Sequence, residues 1–212
     1  MKYLALAAPL LLAAVLLAAE PAGTAKQPRI IYSKSFPGST PAFFQITVDK
    51  SGAAEYKEDP KDEDPLKFQL TEAESSAMFA LADKLDHFSR PLESGLKVAN
   101  MGTKTLRFEG DGQPHETKFN YSEDLDAKSL ADWFERIAES ERAYIDLERS
   151  VRFDKLGVQD SILRIEILRD QKRLMAEKQF LPMLDRVANN ESYMHMARSR
   201  AAALAESMRA VK

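Results

Sequence analysis

Apolar and polar residues alternate in the first half of the chain, and this spacing predicts β-strands. Residues 44–49 alternate in this way, residues 51–52 have the composition of a tight turn, and residues 53–57 return as the hairpin partner. A second hairpin is predicted from residues 103–109 and 115–121, which flank a glycine-rich turn. Two such hairpins predict an antiparallel sheet.

One helix is predicted between the hairpins. Thr71 and Glu74 have the spacing of a capping box, in which each side chain accepts from the backbone amide of the other residue. The apolar side chains that follow recur at helical spacing and predict the buried face: Met78, Phe79, Leu81, Ala82 and Leu85. We expect this helix to end near Phe88, before Pro91.

After Tyr121 the apolar residues recur at steps of three and four, which is the period of a helix. The residues that set this period are Leu130, Trp133, Phe134, Ile137, Ala138, Tyr144, Leu147 and Val151. They predict one long helix over residues 126–152. Gly157 marks a break, and a second helix is expected from Val158 onward.

Two further helices are predicted towards the C-terminus. Pro182 suits the first turn of a short helix, where its missing amide costs nothing, and Asn189 and Asn190 are expected to close that helix and cap the next. The last helix is rich in alanine, and small side chains let a neighbouring helix approach closely. Residues 180–208 are therefore predicted to form a helical hairpin, which resembles a single HEAT-type unit.

Two charged residues of this last helix are candidate site residues. At about 100° per residue, His195 lies almost opposite the apolar stripe and is expected to face water. Arg200 lies about 60° from the centre of the stripe, where its guanidinium needs a carboxylate. We expect a structural ion pair with Asp185 or Glu166, and a binding role for Arg200 is the alternative.

Together these elements predict an α+β fold, with a small antiparallel sheet of two hairpins and one helix followed by an all-helical C-terminal region. The predicted organisation is a signal peptide over residues 1–25, a sheet domain over residues 26–122 and a helical bundle over residues 123–212. The chain has no cysteine, so no disulfide contributes to its stability and apolar burial must do so.

The N-terminus carries the features of a secretory signal peptide. Lys2 precedes an apolar run that ends at Ala19, and the sequence turns polar at Glu20. The run is short for a membrane span, so a cleaved signal is favoured over an uncleaved anchor. We therefore expect a periplasmic or secreted protein, with no membrane contact after cleavage.

Charge and motif content argue against several functional classes. The formal net charge is −3, with both signs interspersed, so no basic surface for nucleic acid is indicated. A nucleophilic triad would have to use His87, His115 or His195, and no Gly-x-Ser-x-Gly motif accompanies them. We predict no catalytic, cofactor-binding or metal-binding residue, and no cofactor.

Metal binding is the main chemical alternative. Asp83 and His87 are four apart on the predicted helix, but zinc usually needs three or four ligands. His115 and Glu116 lack the second histidine of a zinc helix. Residues 58–64 and 109–112 are acidic loops without the spacing of an EF-hand. The alternative function is thus a metal-dependent envelope hydrolase that uses these acidic loops and a histidine.

The segment RIIYSKSFPGSTPAFFQITVDKSGAAEY, residues 29–56, resembles the start of a bacterial secreted family of unknown function. The resemblance extends to Tyr121 at most, and it implies a strand, a proline-containing elbow, a second strand, an Asp-x-x-Gly turn and an aromatic-bearing return strand. It implies no activity.

Pro37 and Pro41 should stiffen this elbow and keep Ser39 and Thr40 extended. We expect the elbow to protect a sheet edge. The alternative is a partner-docking rim beside Phe43, on the less buried side of its strand.

The favoured function is a non-catalytic module of the cell envelope with an interaction or structural role. A helix as long as residues 126–152 needs an apolar surface along its whole length. The helices that follow it, or a second copy of the chain, can supply that surface. A protein partner or a homodimer is therefore expected to use the C-terminal helices.

Overall fold

Six strands form one antiparallel sheet in the computed structural model, which describes residues 27–110 and 112–210. The strands are β1 (Arg29–Ser35), β2 (Phe43–Asp49), β3 (Ala53–Lys57), β4 (Leu66–Gln69), β5 (Thr103–Glu109) and β6 (His115–Phe119). Their order is β4-β3-β2-β1-β5-β6, and every neighbouring pair is antiparallel. With the helices mostly in the C-terminal half, the fold is α+β, as the sequence predicted.

Strand β1 joins the two predicted hairpins into one sheet. Its residue Tyr32 lies opposite Ile46 of β2 and Leu106 of β5, so its side chains pack beside both hairpins. Both hairpins, β2–β3 and β5–β6, are confirmed. Strand β4 was not predicted, because its four residues offer only two apolar positions, Leu66 and Phe68, from which to recognise alternation.

Among the described residues, five α-helices accompany the sheet: α1 (Glu72–Lys84), α2 (Leu125–Phe153), α3 (Val158–Asp170), α4 (Leu181–Ala188) and α5 (His195–Ala210). Two short 3₁₀ turns cover Asp86–Phe88 and Glu177–Phe180. The long helix thus extends one residue beyond the prediction at each end, and the capping box of α1 is present, with the Thr71 amide 2.7 Å from the Glu74 carboxylate. Asn189 ends α4 as predicted, but α5 starts at His195, so the predicted cap at Asn190 is wrong.

The first hydrophobic core lies between the sheet and helices α1 and α2. The predicted buried face of α1 is confirmed except at Leu81, which is only partly buried. The Tyr32 ring stacks on Phe134 of α2, with the ring centres 4.8 Å apart. Aromatic pairs of this kind add about 0.5–1.5 kcal/mol to the apolar area that they bury. This stack is one of the contacts that attach the long helix to the sheet.

A second core is formed by the C-terminal helices. It contains apolar side chains that recur at helical spacing in α3 and in residues 193–208: Val158, Ile162, Ile165, Leu168, Tyr193, Ala197, Ala201, Leu204 and Met208. Helix α2 belongs to both cores, because its buried apolar residues up to Ala138 pack in the first and those from Ala143 onward pack in the second. The predicted domain boundary between residues 122 and 123 stays a prediction. The two cores are in contact with the same helix, α2.

Candidate functional site

Asp83 and His87 meet, but not in the predicted helical arrangement. Helix α1 ends at Lys84, and His87 lies in a 3₁₀ turn with left-handed backbone conformation, at a φ of 51°. Its Nε2 lies 2.8 Å from the Asp83 Oδ1, and its ring lies against Phe108 with the ring centres 4.1 Å apart. Asp83 and His87 therefore form a pair at the protein surface, and the His87 ring packs against Phe108 of β5.

The carboxylates of the acidic loops accept hydrogen bonds from neighbouring groups of the protein. Glu58 accepts from the Tyr56 hydroxyl at 2.7 Å, while Asp59 and Asp62 accept backbone amides of their own loop. At the second hairpin, Glu109 accepts from Arg29 and Arg107; burial raises its pKa, but these bonds outweigh burial and lower the pKa overall. Position 111 lies outside the described residues. These carboxylates are therefore engaged as acceptors within the fold.

The three histidines lie on separate elements, and His195 is exposed, as predicted. His115 is also exposed, on β6, where its neighbour Glu116 pairs with Lys118 at 3.3 Å. Within residues 27–110 and 112–210, no group of three or more His, Cys, Asp or Glu side chains could hold a metal ion.

Arg200 makes the structural ion pair expected from its position. Its Nη1 bonds to Glu166 on α3, one of the two partners predicted. The other candidate, Asp185 of α4, pairs with Arg209 at 2.5 Å instead. Two charge pairs therefore link α5 to its neighbouring helices.

The elbow does not protect an edge of the sheet. It connects β1 and β2, which are both inner strands, whereas β4 and β6 end the sheet order. Residues 37–42 are turns and bends, and Ser39 donates to the Phe36 carbonyl at 3.0 Å, so the predicted extended conformation is also wrong. Phe43 does lie on the less buried side of β2, as predicted. The elbow instead folds over the surface of α2.

A cavity of about 160 Å³ lies between the elbow and helix α2, and we call it the elbow cleft. Its apolar walls come from Phe36, Pro41, Phe44 and Ala138. The elbow is fastened on one side by Arg142 of α2, whose Nη1 donates to the Thr40 carbonyl at 2.6 Å. The cleft is therefore built by residues that are far apart in the sequence.

Charged side chains line the rest of the elbow cleft. Lys34, Arg142 and Arg164 are basic, and Glu135 and Glu139 are acidic. These residues come from β1, α2 and α3, so their approach could not be deduced from motif spacing.

A buried carboxyl lies where the two cores meet. Glu141 of α2 is fully buried. Its Oε1 accepts from the side-chain amide of Gln179 at 2.7 Å, and its Oε2 has no hydrogen-bond partner among the described residues. Burial raises the pKa of Glu141 to about 8, and the bond from Gln179 opposes this increase. The preceding Ser140 accepts from the Met175 amide at 2.8 Å. Residues 140 and 141 thus fasten the segment between α3 and α4 to the long helix.

The sequence contained a pattern that could have revealed Glu141. It stands three and four residues after Ala138 and Ile137, and three before Tyr144, so it occupies a gap in the apolar stripe of α2. Glutamate is seldom fully buried, so this gap does not by itself indicate a core position.

Four large apolar side chains are exposed at the far end of the second core, and we call them the apolar tip: Phe153 (82% exposed), Leu156 (73%), Met194 (44%) and Met196 (59%). The two parts of the tip are neighbours, because the Tyr193 hydroxyl donates to the Val151 carbonyl at 3.1 Å. The Lys155 ammonium lies 5.9 Å from the centre of the Tyr193 ring. Exposed apolar side chains on neighbouring segments are typical of interaction surfaces.

No protein-family model matches the chain, and no curated protein is significantly similar to it. In the part of the chain that the structure describes, no helix is both long and apolar enough to cross a membrane.

Proposed function

We propose that the protein is an exported, non-catalytic interaction module of the cell envelope. It engages a protein partner through its C-terminal helices, and a second copy of the chain is the partner that we test first. The observation that carries this proposal is the apolar tip. Phe153 and Leu156 expose most of their surface there, although the burial of apolar side chains of this size usually lowers the free energy.

Charges around the apolar tip suit a contact between two copies of the chain. Arg149, Arg152 and Lys155 lie in the same segment as Glu148 and Asp154, so both signs are present in the sequence next to the tip. A symmetric dimer uses the same patch on both subunits, which must therefore be complementary to itself. A specific interface buries about 800 Å² on each partner, so these flanking residues would contribute along with the tip.

The experiment is light scattering of the purified protein over a wide range of concentrations, for the wild type and the double variant Phe153→Ser, Leu156→Ser. Both side chains are already exposed, so we expect each change to alter folding stability by no more than about 0.5 kcal/mol. We expect a concentration-dependent dimer that the double variant no longer forms. The matched control is Leu125→Ser, because Leu125 is similarly exposed at 76% but lies at the opposite end of α2.

Three results would count against this proposal. A wild-type protein that remains monomeric at every concentration would exclude the second copy as partner. A dimer that persists in the double variant, or one that is lost equally in the Leu125 control, would remove the apolar tip as its cause.

Export rests on the N-terminal sequence, with Lys2 before the apolar run up to Ala19, a segment that lies outside the described residues. Export is tested by N-terminal sequencing of the protein recovered outside the cytoplasm. A new N-terminus between about residues 20 and 26 would agree with a cleaved signal peptide. Recovery of the chain with Met1 still attached would argue for an uncleaved anchor.

A further inference from the structure

The elbow cleft has room only for a small ligand. Its volume of about 160 Å³ is below the range of about 300–1,000 Å³ that is usual for drug-sized ligands. Phe36, Pro41 and Phe44 give it an apolar floor. A ligand that fills the cleft would therefore combine a short apolar body with a polar group that suits the charged wall.

The acidic residues of the cleft are already neutralised by neighbours. Glu135 accepts from both the Lys34 ammonium and the Tyr32 hydroxyl at 2.9 Å. Glu139 binds the Arg173 guanidinium through both of its oxygens, at 2.6 and 2.9 Å. Two-point guanidinium–carboxylate bonds of this kind are among the stronger polar contacts in proteins. Each acidic side chain of the cleft is therefore paired with a cation, and Arg173 is shared with Asp132 at 3.1 Å.

The two arginines of the cleft keep unused donors. Arg142 donates one N–H to the neutral Thr40 carbonyl, and its Nε lies 3.8 Å from the Glu58 carboxylate. Arg164 makes a single bond of 3.4 Å to Asp146, and half of its side chain is exposed. A guanidinium carries five N–H donors, so both arginines can accept an additional anionic partner.

A second lysine lies next to Lys34 at the adjoining end of the sheet. Lys34 lies directly opposite Lys104 in the pairing of β1 with β5. Burial lowers the pKa of Lys104 and the positive charge of Lys34 lowers it further, while Glu135 and Glu93 oppose this decrease. The Lys34 ammonium is paired with Glu135 and the Lys104 ammonium donates to the Asn120 carbonyl at 2.8 Å, so the two arginines are the cationic donors that remain for a ligand in the cleft.

We propose that the elbow cleft binds the carboxylate of a small organic acid. Arg142 and Arg164 donate to the carboxylate, while Phe36, Pro41 and Phe44 pack against a short hydrocarbon chain. Carboxylate geometry matches the planar fork of a guanidinium, and the apolar floor distinguishes an organic acid from an inorganic anion. This site is separate from the apolar tip and does not depend on the interaction function.

The test is an NMR titration of the ¹⁵N-labelled protein with butyrate, acetate, butyramide and inorganic phosphate. We expect butyrate to give saturable shifts in the amides of residues 36–42 and 138–142, with a dissociation constant on the order of millimolar. Acetate should bind up to about tenfold more weakly, because it lacks two methylene groups. Butyramide has nearly the same shape without the charge and should bind at least about tenfold more weakly.

Variants separate the arginines from general electrostatic attraction. Arg164→Gln removes one charged guanidinium without changing Arg142, which bonds to Thr40, and we expect it to weaken butyrate binding about tenfold. The matched control is Arg152→Gln, a more exposed arginine of α2 that is paired with Glu148 at 2.7 Å, and binding should not change. Arg142→Gln provides a second test, provided that its amide spectrum shows a folded elbow.

Four outcomes would overturn the proposal. They are the absence of saturable shifts at the cleft, equal binding of butyramide and butyrate, tighter binding of phosphate than of butyrate, and unchanged binding by Arg164→Gln.

Discussion

The buried carboxyl of Glu141 predicts a stability that falls as the pH rises. Below pH 4.5 the carboxyl is protonated in both the folded and the unfolded chain. Between pH 4.5 and about 8 the unfolded chain has released this proton, whereas the folded protein retains it. Folding then takes up a proton, and each added pH unit lowers the free energy of unfolding by about 1.4 kcal/mol. Above about pH 8 both states are ionised, and this contribution stops changing.

The substitution Glu141→Gln isolates this effect. Glutamine has the shape of the protonated acid and can still accept from the Gln179 amide, but it does not ionise. The variant should therefore be more stable than the wild type by about 1 kcal/mol at pH 5.5 and by about 4 kcal/mol at pH 8. A difference of this size is a large fraction of the stability of an ordinary domain.

The assay is urea unfolding at several pH values between 5 and 8.5. Trp133 is the one tryptophan of the sequence and packs against the first core, so its fluorescence reports unfolding there. Circular dichroism at 222 nm follows the helices of both cores. The matched control is Glu148→Gln, because Glu148 lies on the same helix but is partly exposed and paired with Arg152. Its effect should stay within about 0.5 kcal/mol at every pH.

The result that refutes this reasoning is a difference between Glu141→Gln and the wild type that does not change with pH. Such a result would mean that Glu141 keeps an ordinary pKa in the folded protein, and hence that water or a charged group reaches its second oxygen.

Two further substitutions test how local contacts stabilise the fold. Ser140→Ala leaves the buried Met175 backbone amide without its acceptor and should lower the free energy of unfolding by about 1–3 kcal/mol. The control is Ser129→Ala, which should have little effect because Ser129 is an exposed serine of the same helix. Equal effects of the two substitutions would contradict the role of Ser140. Thr71→Ala removes the capping box with Glu74 and should cost about 1 kcal/mol in urea unfolding, and Thr71→Ser should restore most of this loss. If Thr71→Ser were as unstable as Thr71→Ala, the hydroxyl would not be the stabilising group.

Features that depend on neighbouring residues followed from the sequence. The hairpins β2–β3 and β5–β6, the capping box of α1 and the bounds of α2 were predicted to within a few residues. The partner of Arg200 was also narrowed to two carboxylates, one of which it binds. Spacing determines these features, because side chains three or four apart on a helix, or two apart on a strand, share a face wherever the element lies.

Features that depend on how the elements pack were decided only by the tertiary structure. The elbow was expected at an edge, but the pairing of β1 with β5 places it between two inner strands, beside α2. The elbow cleft exists because residues of β1, α2 and α3 converge there. Arg142 and Thr40, which form a hydrogen bond at the cleft, are more than one hundred residues apart in the sequence. Glu141 is likewise buried because two cores close over the middle of a single helix. The sequence fixes which face of each element is apolar, but only packing determines which apolar faces meet and which polar groups they enclose.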